Sequence, residues 1–223
     1  MSIDNINFDH LLNNLEKTSF KNSIFNYEPG RRAFLSLGKG SVSKWLDTLL
    51  PNTRLILEPK IIGESIGIQY INGKINKAIN KNSEDITEKI NSQKSVPKCI
   101  FIKERIEIRG VLYEPKQNKT EPINIKINSQ KRHKIKFCVF HIFHCKINHF
   151  QALQELKNLN FETPETQFTK FISDIELYRQ YWKEEKLFQS YPTSGLVLKI
   201  NSRKLQNQLG ENNISRNWAY AIN

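Results

Sequence analysis

Asn72-Gly73 sits between two runs of strand-forming residues, Gln69-Tyr70-Ile71 on one side and Lys74-Ile75-Asn76 on the other. A two-residue Asn-Gly link between such runs predicts a tight antiparallel hairpin. That pairing commits the middle of the chain to antiparallel sheet. Strand patterns recur at Arg54 to Tyr70, Arg105 to Tyr113, Ile135 to Phe143, Gly195 to Ile200 and Asn217 to Ile222. Helical spacing marks Phe8 to Leu15, Ser41 to Leu50, Phe150 to Leu159 and Ser173 to Phe188. Another helix is expected from a cap at Asn82 or Ser83 to about Asn91, ending before Pro97. Interleaved helices and hairpin-linked strands point to an α+β fold with mostly antiparallel sheets flanked by helices, not to a doubly wound parallel sheet.

At 223 residues the chain suits one large domain or two small ones. No apolar run approaches the roughly 18 residues that a membrane span needs. The polar N-terminus does not resemble a signal peptide, and three cysteines do not make a disulfide framework. A cytoplasmic protein with no membrane partner is the expectation. The net charge of +12 favours an anionic partner. Yet 25 Lys, 28 Ile and 24 Asn, all with A/T-rich codons, show that genome bias contributes part of that charge.

The chemistry centres on Leu57-Glu58-Pro59-Lys60-Ile61-Ile62-Gly63-Glu64-Ser65. Alternation on a strand puts Glu58, Lys60 and Ile62 on one face. A lysine partly desolvated there can attack as a neutral amine; the alternative is a surface lysine before a turn. Cys138, His141, His144, Cys145 and His149 suggest metal ligands, but alternation separates His141 from Cys138 and His144, so no metal site is expected. Phe137, Val139 and Phe143 are expected inside, and Trp182 is read as core rather than as a base-stacking platform. The lysine-rich stretch Lys116 to Lys136 reads either as a phosphate-binding loop or as a solvated one.

The ordered set of motifs resembles the adenylation (nucleotidyltransferase) domain of NAD-dependent DNA ligases. Lys60-Ile61-Ile62-Gly63 matches that family's K-x-D-G, and Tyr70-Ile71-Asn72-Gly73 its Y-x-N-G turn. Glu84-Asp85-Ile86-Thr87 and Ser95-Val96-Pro97 match G-E-D-x-T and x-I-P. Ile106-Glu107-Ile108-Arg109-Gly110, followed by Tyr113-Glu114-Pro115, matches L-E-V-R-G-E-V-x-x-P. Gly195 to Asn201 matches D-G-V-V-x-K-x-N without its first residue, and Arg216-Asn217-Trp218-Ala219 matches the closing R-x-W-A strand. Phe34-Leu35-Ser36-Leu37 resembles the approach M-L-S-L.

The resemblance implies a nucleotidyltransferase fold over residues 32–223, preceded by a helical extension over residues 1–31. It implies that Lys60 takes AMP from NAD, with ATP as the other donor, and passes it to a nucleic-acid 5′-phosphate with Mg2+ present. It assigns Glu58 to adenine, Lys199 to phosphate charge and Lys81 to a place beside the nucleotide. Nicked DNA is the expected partner ahead of RNA, bound weakly by this chain alone. The family's N-terminal nicotinamide-binding module and its later DNA-encircling modules have no counterpart in these residues, and a protein supplying the missing DNA-binding modules is an expected partner. Several family positions are substituted: Ile62 and Val111 for acids, Ser194 for the acid before Gly195, and Asn223 for a lysine. These losses imply impaired turnover, or a degenerate nucleic-acid- or nucleotide-binding module on the same fold.

Overall fold

The computed structural model describes residues 9–15, 23–26, 34, 36–116, 135–211 and 215–223. Two sheets organise them. Strands β2 (Leu55–Ile61), β7 (Gln167–Thr169), β8 (Thr193–Ile200), β9 (Ser215–Ile222) and β1 (Ser36–Gly38) form one, in the order β1-β9-β8-β2-β7. Strands β3 (Glu64–Ile71), β4 (Lys74–Asn80), β5 (Ile106–Tyr113) and β6 (Lys136–Ile142) form the other, in the order β4-β3-β5-β6. Every pairing is antiparallel except β1 with β9. The α+β expectation therefore holds.

The hairpin forms where the sequence places it. Ile71 pairs with Lys74, and Asn72 and Gly73 adopt φ of 51° and 74°, the left-handed pair that a type I′ turn needs. Pro59 lies inside β2, where it has no N–H to give. This is tolerated because β7 pairs only as far as Leu57, so that edge is open beside Pro59.

Among the described residues six α-helices flank the sheets: α1 (Asp9–Asn14), α2 (Val42–Asp47), α3 (Thr87–Ser92), α4 (His149–Asn158), α5 (Ile172–Lys183) and α6 (Arg203–Leu209). Ser41 caps α2 by accepting from the Lys44 N–H, and Ser202 caps α6 by accepting from the Leu205 N–H. The expected cap of α3 is corrected. That helix starts at Thr87, with no side-chain cap. Asn80 Oδ1 instead accepts from the N–H groups of Asn82 and Glu84, which shapes 80–84 as a turn. Strands β1 and β7 and helix α6 are elements that hydrophobic periodicity did not predict.

One core lies under the four-stranded sheet, where Leu11 of α1, Ile90 of α3 and Leu153 of α4 meet Ile66, Ile108 and Val139. Phe137 and Val139 are buried as expected, and Phe143 is partly so. A second core joins the five-stranded sheet to α2, α5 and α6, and reaches Val111 and Cys138 of the other sheet. Trp182 packs against it and donates to Thr193 Oγ1 at 2.7 Å. The expected lysine-rich loop falls mainly on residues 117–134, outside the described residues. Among the described residues no helix is long and apolar enough to cross a membrane.

Candidate active site

The cleft lies where the two sheets face each other. A cavity of about 240 Å3 is walled by Glu58 and Lys60 from β2, Val197 and Lys199 from β8, and Trp218 from β9. Arg109 and Val111 from β5, with Phe140 and His141 from β6, close it from the other sheet. Sheet register supplies part of this geometry. Arg109 pairs with His141, but Gly110 pairs with Val139, so Phe140 is an extra residue on β6. Such a bulge re-aims neighbouring side chains, and here both Phe140 and His141 reach the cavity.

Glu58 is buried at 2% exposure and its two carboxylate oxygens are separately engaged. His149 Nε2 lies 2.5 Å from Oε1, and Lys199 Nζ donates to Oε2 at 2.6 Å. Lys199 also donates to the Phe140 carbonyl oxygen at 3.0 Å. Burial pushes the Glu58 carboxyl up, but the Lys199 ammonium and His149 outweigh it and hold it below the usual carboxylate range. Burial and the neighbouring Lys199 charge push His149 down to about 4. Its ring is therefore neutral at ordinary pH, with the Nε2–H donating to Glu58. His149 opens α4, which is stitched to the end of β8: the His149 N–H donates to the Asn201 carbonyl at 2.9 Å, and the Phe150 N–H to Asn201 Oδ1 at 3.0 Å. Helix start, strand end and carboxylate thus form one fixed unit.

Lys60 is only partly buried, and its Nζ donates to Asn223 Oδ1 at 3.1 Å. The Asn223 carbonyl in turn accepts from Arg179 Nε at 3.0 Å and Nη2 at 2.7 Å. Lys60 also borders a second cavity of about 430 Å3, which shares Leu37, Ser65 and Arg109 with the first. The second cavity carries Lys39, Lys60, Lys81 and Arg109 against one acid, Glu64, which Lys89 already engages at 2.6 Å. Its field therefore favours anions.

Gly63 of the lysine motif is required by close approach. A Cβ there would lie 2.1 Å from the Leu112 carbonyl oxygen. Ile62, by contrast, does not share the face expected of it. It follows the end of β2, after a register shift between Pro59 and Ile61, and is 54% exposed.

Of the four expected site residues, Glu58, Lys60 and Lys199 share the first cavity, while Lys81 lines the second with Lys60. Arg109 was not singled out from the sequence, although it borders both cavities. Its guanidinium lies 4.3 Å from the Phe34 ring centroid and 5.4 Å from that of Phe140. Strand alternation between Arg109 and Val111 was the signal that could have found it. The Cys and His residues weighed as metal ligands disperse: Cys138 and Cys145 enter the two cores, His144 faces Glu107 at 3.5 Å, and His141 and His149 serve the cleft. Among the described residues no group of three or more His, Cys, Asp or Glu is arranged to hold a metal ion.

Residues 124–223 match the family model of the NAD-dependent DNA ligase adenylation domain. A DNA ligase of Metamycoplasma arthritidis is 29% identical over 92% of this chain and 37% of its own length. One from Mycoplasma mycoides subsp. mycoides is 30% identical over 81% of this chain and 31% of its own. The chain thus spans about a third of the length of these relatives. Among solved structures, a mycobacterial DNA ligase D complexed with ATP aligns with a TM-score of 0.52 at 10% identity, covering 92% of this chain and 61% of that one. An archaeal ATP-dependent RNA ligase aligns at 0.51 and 12% identity, covering 76% and 45%.

Proposed function

Because the chain is a divergent homologue of the DNA ligase adenylation domain and has the nucleotidyltransferase fold, we propose that it is an adenylyl-transfer domain whose nucleophile is Lys60. The observation that carries this reading is the position of Lys60 at the junction of the two cavities. The first cavity combines apolar and aromatic groups, Val111, Phe140, Val197 and Trp218 among them, with the paired Glu58 and Lys199 as acceptor and donor. That combination suits a purine base, whose ring stacks and whose edge offers one donor and one acceptor. Lys199 in this reading serves the base end of the site. The second cavity, rich in cations, suits phosphates, with Lys81 and Arg109 carrying the charge assigned to that end.

In the transfer step the Lys60 amine, having given up a proton, forms a bond to the α-phosphorus, and the bond from phosphorus to the bridging oxygen of the leaving phosphate breaks. The leaving group is nicotinamide mononucleotide from NAD, or pyrophosphate from ATP. The adenylate then passes to a nucleic-acid 5′-phosphate, with nicked DNA as the proposed substrate. Mg2+ would enter with the phosphates of the nucleotide and offset their charge.

Intact mass after incubation with NAD or ATP and Mg2+ tests this. The expected result is a gain of one AMP, slow because acids are missing at Val111 and Ser194, and absent in Lys60→Ala. A second reading, binding without transfer, is favoured by the bond from Lys60 to Asn223, which ties the amine to an amide where the family places a lysine. Nucleotide binding with no mass gain after prolonged incubation would select it.

A further inference from the structure

Lys60 is held at the junction of the two cavities by groups from two other elements. Its Nζ donates at 3.1 Å to Oδ1 of Asn223, the residue that follows β9. Arg179 of α5 donates twice to the main-chain carbonyl of the same Asn223, from Nε at 3.0 Å and from Nη2 at 2.7 Å. Its Nη1 lies 3.6 Å from Glu176 Oε2, one turn earlier on the helix. A planar guanidinium engaged along two edges keeps little freedom. The helix is anchored as well. Trp182, three residues beyond Arg179 and on the same side of α5, donates to Thr193 Oγ1 of β8 at 2.7 Å. Gly195 leaves room for the amide: a Cβ there would lie 2.9 Å from Asn223 Oδ1 and 2.3 Å from the Ile222 carbonyl oxygen. Its φ of 144° is also one that glycine alone adopts readily.

We propose that Arg179 is a positioning residue that acts through Asn223 to fix the direction of the Lys60 amine where the two cavities meet. The inference rests on the transfer reading above for its purpose, though not for its geometry. A neutral amine has two hydrogens and one lone pair. Rotation about the Cε–Nζ bond sweeps that pair through a full circle, and only a narrow arc of it faces the α-phosphorus. One hydrogen held at Oδ1 limits the rotation before the nucleotide arrives, and orientation secured in advance lowers the barrier to transfer. An amide oxygen does this without setting an anion against the incoming phosphates, as a carboxylate would. Arg179 is not among the residues that line either cavity, so its influence on the amine passes through Asn223.

Acetylation of the whole chain with acetic anhydride, read lysine by lysine by peptide mass spectrometry, tests the assignment without a nucleotide. An amine released from Oδ1 sweeps a wider arc and meets the reagent more often. Arg179→Gln and Asn223→Ala should each raise Lys60 acetylation by about two- to tenfold, the worth of one hydrogen bond, and combining them should raise it no further. Asn223→Asp, which keeps an acceptor, should leave Lys60 as slow as in the unmodified chain. Lys199, buried beside Glu58, reports on folding. If Arg179→Gln opens the structure, Lys199 acetylation rises too and Asn223→Ala decides alone. Single-turnover transfer from NAD should move the other way, falling by a similar factor in Arg179→Gln with the affinity for NAD unchanged, a split that general loosening does not produce. Unchanged Lys60 acetylation in both single variants, with Lys199 steady, overturns the role of Arg179 and leaves the transfer reading standing. The expected rise, with no AMP gained by the unmodified chain, upholds the clamp and overturns the transfer reading.

Discussion

Acid should weaken this protein through the residues that hold Glu58. His149 has an ordinary value of 6.5 and is held at about 4 in the fold. The unfolded chain therefore takes up a proton, as pH falls through 6.5, that the folded chain refuses until about 4. Stability is complete above pH 6.5 and declines across that window, by at most about 3 kcal/mol from this group. His141 is shifted the same way. Glu58, whose own value is lowered, adds a loss at still lower pH as it is finally protonated. Urea unfolding at pH 7 and pH 4.5 should show the decline, and His149→Gln should make it shallower. Lys199→Met should cost about 3–5 kcal/mol at pH 7, because it leaves a buried carboxylate without its main countercharge. Adding Glu58→Gln should recover part of that loss, which the same urea curves would show as a coupling between the two sites. Glu58, Lys60 and Lys199, which line the first cavity together, stood out in the sequence because each sits in a motif. The partnership of Glu58 with His149 was not, since 91 residues separate them and only the docking of α4 against the end of β8 joins them.

At the scale of elements, the turn from β2 into β3 sets the position of Lys60. Gly63→Ala should be among the most damaging conservative changes, because the added Cβ meets a backbone carbonyl oxygen of β5 at 2.1 Å, so that backbone must shift to admit it. A loss of about 3 kcal/mol or more, with nucleotide binding lost even where the protein stays folded, is the expected result; thermal unfolding and calorimetry check the two parts. The strands were largely readable in the sequence, and so was the hairpin, because alternation and Asn72-Gly73 are local signals. The start of α3 was misread for an equally physical reason. Asn and Ser cap helices and also build turns with the same hydrogen bonds, and here Asn80 takes the N–H groups of Asn82 and Glu84 for a turn. Strand β7 spans three residues, too few for a period to show. The bulge that brings Phe140 and His141 into the cleft is a property of register between β5 and β6, which a single strand's sequence does not encode.

For the molecule as a whole, charge and the arrangement of two sheets matter most. With a net charge of +12 and a cation-rich cavity, binding to nicked duplex should be weak, indifferent to sequence and sensitive to salt. Fluorescence anisotropy should show a loss of about tenfold or more between about 50 and 200 mM salt. Affinity unchanged across that range would mean that the lysines reflect codon bias alone. The fold class and the resemblance to the adenylation domain were legible because the motifs occur in order along the chain, whereas the cleft exists only once the sheets oppose each other. That opposition has an optical consequence. Trp218 belongs to one sheet and His141 to the other, and their rings are stacked across the gap. Indole emission responds to such a neighbour, so any motion that parts the sheets, or any ring that slides between them, is written into the intrinsic fluorescence of the protein. Trp45, stacked on Tyr220, and Trp182, bonded to Thr193, do not bridge the gap and serve as an internal reference.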